Sequence, residues 1–187
     1  MTRAPVLTVI GAGDAPEDVC AMACEVGREI AARGAVLING GLGGVMRAAA
    51  DGAHAAGGHT IGILPSYNRE SANEFVEFVI ATGMGEARNA IIIASSDAVI
   101  AMAGEGGTLA EIGFAKKFRR PIVALNSWPE IDGLRRATTP REAVDLAMNA
   151  QAKTEKVKIV GKSSLEAGRS SAAIVIERIW RMRSVWI

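Results

Sequence analysis

The chain has 187 residues, of which 49% are apolar, 22% charged and 4% aromatic, and it carries a net charge of +1. That length suits one domain with a full aliphatic core, and the composition excludes general disorder. The charge is uneven: residues 151–187 hold eight Lys/Arg against three Glu, a net +5, leaving −4 for residues 1–150, so the larger part lacks the basic field of a nucleic-acid binder.

Val6 to Ile10 is a β-rich run that ends in Gly11-Ala12-Gly13-Asp14, after which Pro16, Val19, Met22, Val26 and Ile30 recur at helical spacing. The pattern predicts a strand, a tight loop and a helix, with Asp14 as cap, Glu17 three residues on, Pro16 in the first turn and Gly34 as the stop. Cys20 and Cys24, the only cysteines, fall on one face of this helix and read as core packing; they imply no disulfide framework. His54 and His59 lie elsewhere without ligand spacing, so no protein-ligated metal is expected.

Ala35 to Ile38 reads as a second buried strand, followed by Asn39-Gly40-Gly41-Leu42-Gly43-Gly44 and an alanine-rich helix from about Val45 to Ala56. Thr60 to Leu64 is a third strand closed by Pro65, and Phe75 to Ile80 a fourth, with a polar loop holding Asn68 and Asn73 between them. Gly85 to Ser95 reads as a helix, Ala98 to Met102 as a strand, Thr108 to Phe118 as a helix, Ile122 to Leu125 as a strand, and Pro140 to Ala150 as the last helix. Strands alternating with helices predict an α/β fold, a Rossmann-like doubly wound parallel sheet with helices on both faces.

Residues 1–150 form the expected main domain, and residues 151–187 a separate extension, polar and basic to Ser171 and then apolar with Trp180 and Trp186. The extension reads as a surface that packs on its own domain or on another subunit, with membrane or partner docking as the alternative, and the residues assign it no definite role. No basic leader with an apolar run opens the chain and no stretch reaches the roughly 18 to 20 apolar residues of a span, so the expected location is the cytoplasm, without membrane association.

In an open parallel sheet, ligands sit beyond the carboxyl ends of the strands, where helix N-termini offer free amides and a positive dipole end. Gly11 to Asp14, Gly40 to Gly44 and Gly104 to Gly107 all fall at such ends and predict a pocket for a phosphorylated, nucleotide-sized ligand. The dinucleotide fingerprint fails because Pro16 stands where its third glycine belongs, which argues against a hydride-transferring dehydrogenase. Gly161-Lys162-Ser163 imitates the end of a P-loop, but Lys156 occupies the earlier glycine position.

Four stretches together carry a family resemblance: Gly40-Gly41-Leu42-Gly43-Gly44-Val45-Met46, Ile61-Gly62-Ile63-Leu64-Pro65, Thr82-Gly83-Met84-Gly85-Glu86-Ala87-Arg88-Asn89, and Ala103-Gly104-Glu105-Gly106-Gly107-Thr108-Leu109-Ala110-Glu111. From about Pro5 to Ala150 the chain resembles the family of the LONELY GUY phosphoribohydrolases, the proteins mislabelled "lysine decarboxylase", and the molybdenum cofactor carrier proteins. The resemblance implies a Rossmann-like fold, a homodimer or homotetramer, and a phosphate pocket at the carboxyl edge of the sheet.

In the phosphoribohydrolase branch the last motif reads Pro-Gly-Gly-x-Gly-Thr-x-x-Glu, and its glutamate works with an arginine of the preceding helix on the N-glycosidic bond of a nucleoside 5′-monophosphate. Arg88 and Glu111 match those catalytic positions, whereas Ala103 replaces the proline and Glu105 the second glycine. The Glu105 loop and the Thr82 to Asn89 stretch resemble the carrier branch. That implies carriage of the molybdenum cofactor or a similar nucleotide-like ligand, with an N-glycosidase as the alternative and a structural or assembly role as a third reading.

The implied binding set is Gly11 and Gly13; Gly40, Gly41, Gly43 and Gly44; Thr82, Gly83 and Met84; Arg88 and Asn89; and Gly104, Glu105, Gly106, Gly107 and Thr108. Plainer roles stand beside these. Thr108 to Glu111 spells a capping box, Arg88 can pair with Glu86, Glu105 can be an exposed loop acid, Met46 and Met84 can pack in the core, and Thr82 and Asn89 can cap local backbone.

Overall fold

The computed structural model describes residues 3–150, so the expectations for residues 151–187 lie outside the described residues. The strands are β1 (Val6–Ile10), β2 (Val36–Asn39), β3 (Thr60–Leu64), β4 (Phe78–Ala81), β5 (Ala98–Ala101), β6 (Ile122–Leu125) and β7 (Arg135–Ala137). The helices are α1 (Glu17–Ala32), α2 (Gly44–Ala55), α3 (Asn89–Ser95) and α4 (Gly106–Lys117), with α5 over residues 140–150. Every strand pair is parallel, and the order is β4-β3-β2-β1-β5-β6-β7. All strands therefore end at one edge. The direction of winding reverses between β1 and β5, where Leu7 pairs with Leu37 on one side and Ala98 on the other.

Because successive strand residues face opposite ways, each central strand must be apolar on both sides. On one face Leu7, Val9, Leu37, Ile100, Val123 and Leu125 pack under α1, α2 and α5. On the other, Ile10, Val99, Ala101 and Ile122 meet Ile93 of α3 and Ile112 and Ala115 of α4, while Ile38 and Ile63 meet Ile92. The doubly wound arrangement expected from the alternation is the one observed.

The differences have local causes. The Thr60 hydroxyl donates to the Phe75 carbonyl at 2.7 Å and accepts from the Glu77 amide at 2.8 Å, which takes residues 75–77 out of the ladder and delays β4 to Phe78. Residues Gly85–Arg88 form a 3-10 turn before α3 starts at Asn89. α1 is preceded by Pro16 with no side-chain cap, so Asp14 does not serve as its cap. β7, with two exposed arginines in three residues, had no apolar pattern to announce it. Cys20 and Cys24 are half-exposed in the α1/α2 groove and do not join the apolar core. Among the described residues no helix is long and apolar enough to cross a membrane.

α1 and α2 touch backbone to backbone. A Cβ on Gly27 would lie 2.0 Å from the Ala49 carbonyl oxygen, and one on Gly52 1.8 Å from that of Cys24. Gly→Ala at an unhindered helix position stabilises by about 1 kcal/mol. At Gly27 overpacking reverses the sign, and Gly27→Ala is expected to destabilise by about 1–3 kcal/mol in urea unfolding; stabilisation would contradict this close approach.

Candidate functional site

The loops after β1, β2 and β5 are tied together before any ligand arrives. The Ala12 amide donates to the Ala103 carbonyl at 2.9 Å, and the Ala12 carbonyl accepts from the Val45 amide at 3.0 Å. Asn39 fixes the second loop by accepting from the Gly41 amide and donating to the Met46 carbonyl, both at 2.8 Å. A cleft of about 340 Å³ opens among these loops at the β1/β5 reversal. Gly11 to Asp14 form one wall, Leu42 and Met46 a second, Glu86 to Asn89 a third through Glu86, Arg88 and Asn89, and Glu105, Gly107, Thr108 and Glu111 the fourth.

Arg88 is 4% exposed, and its Nε and Nη1 find no hydrogen-bond partner among the described residues. Gly40 makes room for it: a Cβ there would stand 2.1 Å from Arg88 Nη1. Burial pulls the Arg88 pKa below its ordinary value, against the opposing pull of Glu111 and Glu86. A buried cation without a hydrogen-bonded anion is costly, so the guanidinium is an open site for one. Its neighbour Asn89, 5% exposed, donates to Glu86 Oε2 at 3.1 Å, and its own Oδ1 has no partner among the described residues.

α4 starts at Gly106, and no side chain caps it. The amides of Gly106, Gly107 and Thr108 thus stand in its first turn at the positive end of the helix dipole. Thr108 is inside the helix and not its cap, so the capping box does not form. Its hydroxyl is packed against Gly104, where a Cβ would come within 2.2 Å of Oγ1. Glu111, released from that structural role, lines the cleft. Burial raises its carboxyl from 4.5 to about 7; the positive charge of Arg88 opposes the rise and Glu86 adds to it.

The structure brings Gly11, Gly13, Arg88, Asn89, Glu105, Gly107, Thr108 and Glu111 to one cleft. Gly40 and Gly104 stand behind it, as the contacts above show, and Gly106 opens α4. Gly41, Gly43 and Gly44 shape the turn without lining the cleft. Thr82, Gly83 and Met84 do not line it either: the Thr82 hydroxyl donates to the Leu64 carbonyl at 2.7 Å, the Gly83 amide donates to the Ser66 carbonyl at 3.3 Å, and Met84 is exposed. Asp14, Met46, Glu86, Ala12 and Leu42 line it although they were read as cap, core, surface acid or loop. Their position inside or next to the glycine turns was the available signal.

Comparison with known proteins places this geometry among relatives. The sequence profile of the SLOG cluster4 family matches residues 4–164. A protein of Archaeoglobus fulgidus is 46% identical over 145 residues, 78% of this chain and 95% of its own length. A cytokinin riboside 5′-monophosphate phosphoribohydrolase of Mycobacterium tuberculosis is 37% identical over 123 residues, 61% of this chain and 66% of that protein. Among solved structures, the molybdenum cofactor binding protein of Rippkaea orientalis superimposes with a TM-score of 0.77 at 37% identity, covering 80% of this chain and 98% of that one. The molybdenum cofactor carrier protein of Chlamydomonas reinhardtii gives 0.74 at 36% identity, covering 81% and 99%.

The raised Glu111 carboxyl has a thermodynamic signature. Between 4.5 and about 7 the folded state holds a proton that the unfolded state has released, so stability is greatest below this window and falls as pH rises through it. Glu111→Gln is expected to flatten that slope and, above pH 7, to exceed the parent in stability by up to about 3 kcal/mol. Denaturant unfolding across the window measures it; parallel profiles for the two proteins would contradict the assignment.

Proposed function

We propose that this chain, which belongs to the SLOG cluster4 family, binds and carries a phosphorylated pterin of the molybdenum-cofactor type. The observation that carries the reading is the buried Arg88 guanidinium, with Nε and Nη1 unpartnered, in a cleft that also receives the first turn of α4. A phosphate monoester accepts hydrogen bonds from both, and its charge near −2 compensates the buried cation. Carriage asks no more of the cleft than to hold and shield the ligand. The similarity to carrier structures over nearly their whole length supports it.

The cleft is otherwise acidic, because Asp14, Glu86, Glu105 and Glu111 share its walls with one guanidinium. Such a balance favours one phosphate and disfavours a second, while the carboxylates suit a heterocycle rich in N–H donors. Glu105, at the residue before α4, stands where the phosphoribohydrolase motif has glycine.

A second reading rests on Glu111. A carboxyl with a pKa of about 7 beside an arginine suits acid–base chemistry at neutral pH, as cleavage of a nucleoside 5′-monophosphate to base and ribose 5-phosphate requires. In that reaction Glu111 would act at the ribose C1′ as positive charge develops there, and Arg88 would hold the substrate. The phosphoribohydrolases among the relatives support this alternative.

Titration of the purified chain with molybdenum cofactor is expected to show saturable binding at micromolar ligand and protection of the pterin from oxidation. Arg88→Ala should weaken binding by about 30-fold or more, equivalent to about 2 kcal/mol, and Glu111→Gln should retain it. Absence of saturable binding would remove the carrier reading. Base release from AMP that Glu111→Gln abolishes would install the hydrolase in its place.

A further inference from the structure

The cysteine pair is absorbed neither by the core nor by the cleft. Cys20 and Cys24 are both free and half-exposed, and both line a groove of about 450 Å³ between α1 and α2. Asp14, Glu17 and Asp51 face the same groove, and its one lining arginine, Arg47, is paired outward with Glu74 and lies over the Phe75 ring. The groove therefore has a negative balance that draws cations.

Helix geometry decides what two thiols at this spacing can do. Positions i and i+4 hold their Cβ atoms about 5–6 Å apart. A disulfide needs about 3.5–4.5 Å between Cβ atoms, so the rigid helix holds the pair too wide for a bond between the sulfurs. Two metal–thiolate bonds of about 2.3 Å, the zinc–sulfur length, span about 4.6 Å when collinear, a distance the two side chains can meet. Among the described residues no group of three or more His, Cys, Asp or Glu is placed to hold a metal, which disfavours a tetrahedral zinc centre and leaves two-coordinate binding. Soft thiolate pairs select soft d10 cations.

We propose that Cys20 and Cys24 form a two-coordinate site for a soft monovalent cation of the copper(I) class. Binding forms two metal–sulfur bonds and breaks two S–H bonds: one cation enters, two protons leave to solvent, and a bis-thiolate of charge −1 remains. Arg28, whose charge already acts on Cys24, offsets part of that charge. The Cys20 thiol gives up a weak hydrogen bond to the Ala15 carbonyl at 3.5 Å. The cation supplies the driving force for deprotonation. The groove shares Asp14 with the neighbouring cleft and otherwise has its own lining.

The test supplies copper(I) anaerobically to the full chain from its bathocuproine disulfonate complex. One copper per chain is expected to transfer, with an absorption spectrum showing two sulfur neighbours. Cys20→Ser and Cys24→Ser should each weaken binding by about 100-fold or more, since chelation by a second ligand is worth about 10²–10⁴. Thermal unfolding of each variant checks that it folds, and the coordination shell of the parent reads the same question without any substitution. Copper held as tightly by a single or double variant as by the parent, two coppers per chain, or a shell with fewer than two sulfurs would overturn the proposal.

Discussion

One buried guanidinium organises this molecule's carboxyl edge. Arg88 reaches the cleft from the turn before α3 and fits only because position 40 has no side chain. Burial leaves two of its nitrogens without partners among the described residues. The cost of that arrangement falls away when an anion arrives, and this is how a protein stores selectivity for one charge type in a preformed site. Its charge also limits how far burial raises Glu111. The parallel sheet contributes the rest, because only parallel strands deliver the β1, β2 and β5 loops to the same edge, and the β1/β5 reversal opens the cleft between them.

Carrier and hydrolase readings share this cradle and differ at a few atoms. Both use Arg88 and the α4 amides for the phosphate. The difference is whether Glu111 meets a bond it can break. A carboxyl raised towards neutrality by burial suits proton transfer but also lets the cleft adjust its charge to the ligand it holds. Glu105 adds a negative charge beside the first turn of α4, a feature that favours selective holding over the open glycine turn of a hydrolase.

Much of this was legible before any coordinates. The five strands Val6–Ile10, Val36–Asn39, Thr60–Leu64, Ala98–Ala101 and Ile122–Leu125 are largely apolar runs, each followed within three residues by glycine, proline or a polar residue, and burial on both faces leaves such a strand little other composition. Arg88 and Glu111 came from family resemblance, since by themselves a helix arginine and a glutamate three residues after a threonine have ordinary roles. What stayed hidden was set by tertiary contact. The Thr60 side chain displaces Phe75 from the ladder, α4 begins two residues before the threonine that seemed to cap it, and Thr82 to Met84 serve the turn beside Leu64 and Ser66. Met46 illustrates the limit well: an apolar residue after a glycine turn reads as core, and only the arrangement of three loops turns it toward the cleft.

The central claim is that Arg88 and the start of α4 together hold a phosphate, and amide and guanidinium NMR shifts during titration with ribose 5-phosphate test it most directly. The account predicts saturable shifts centred on Gly106, Gly107, Thr108 and Arg88 Nε, lost in Arg88→Ala. Shifts confined to other surfaces, or a titration unchanged by that substitution, would contradict it.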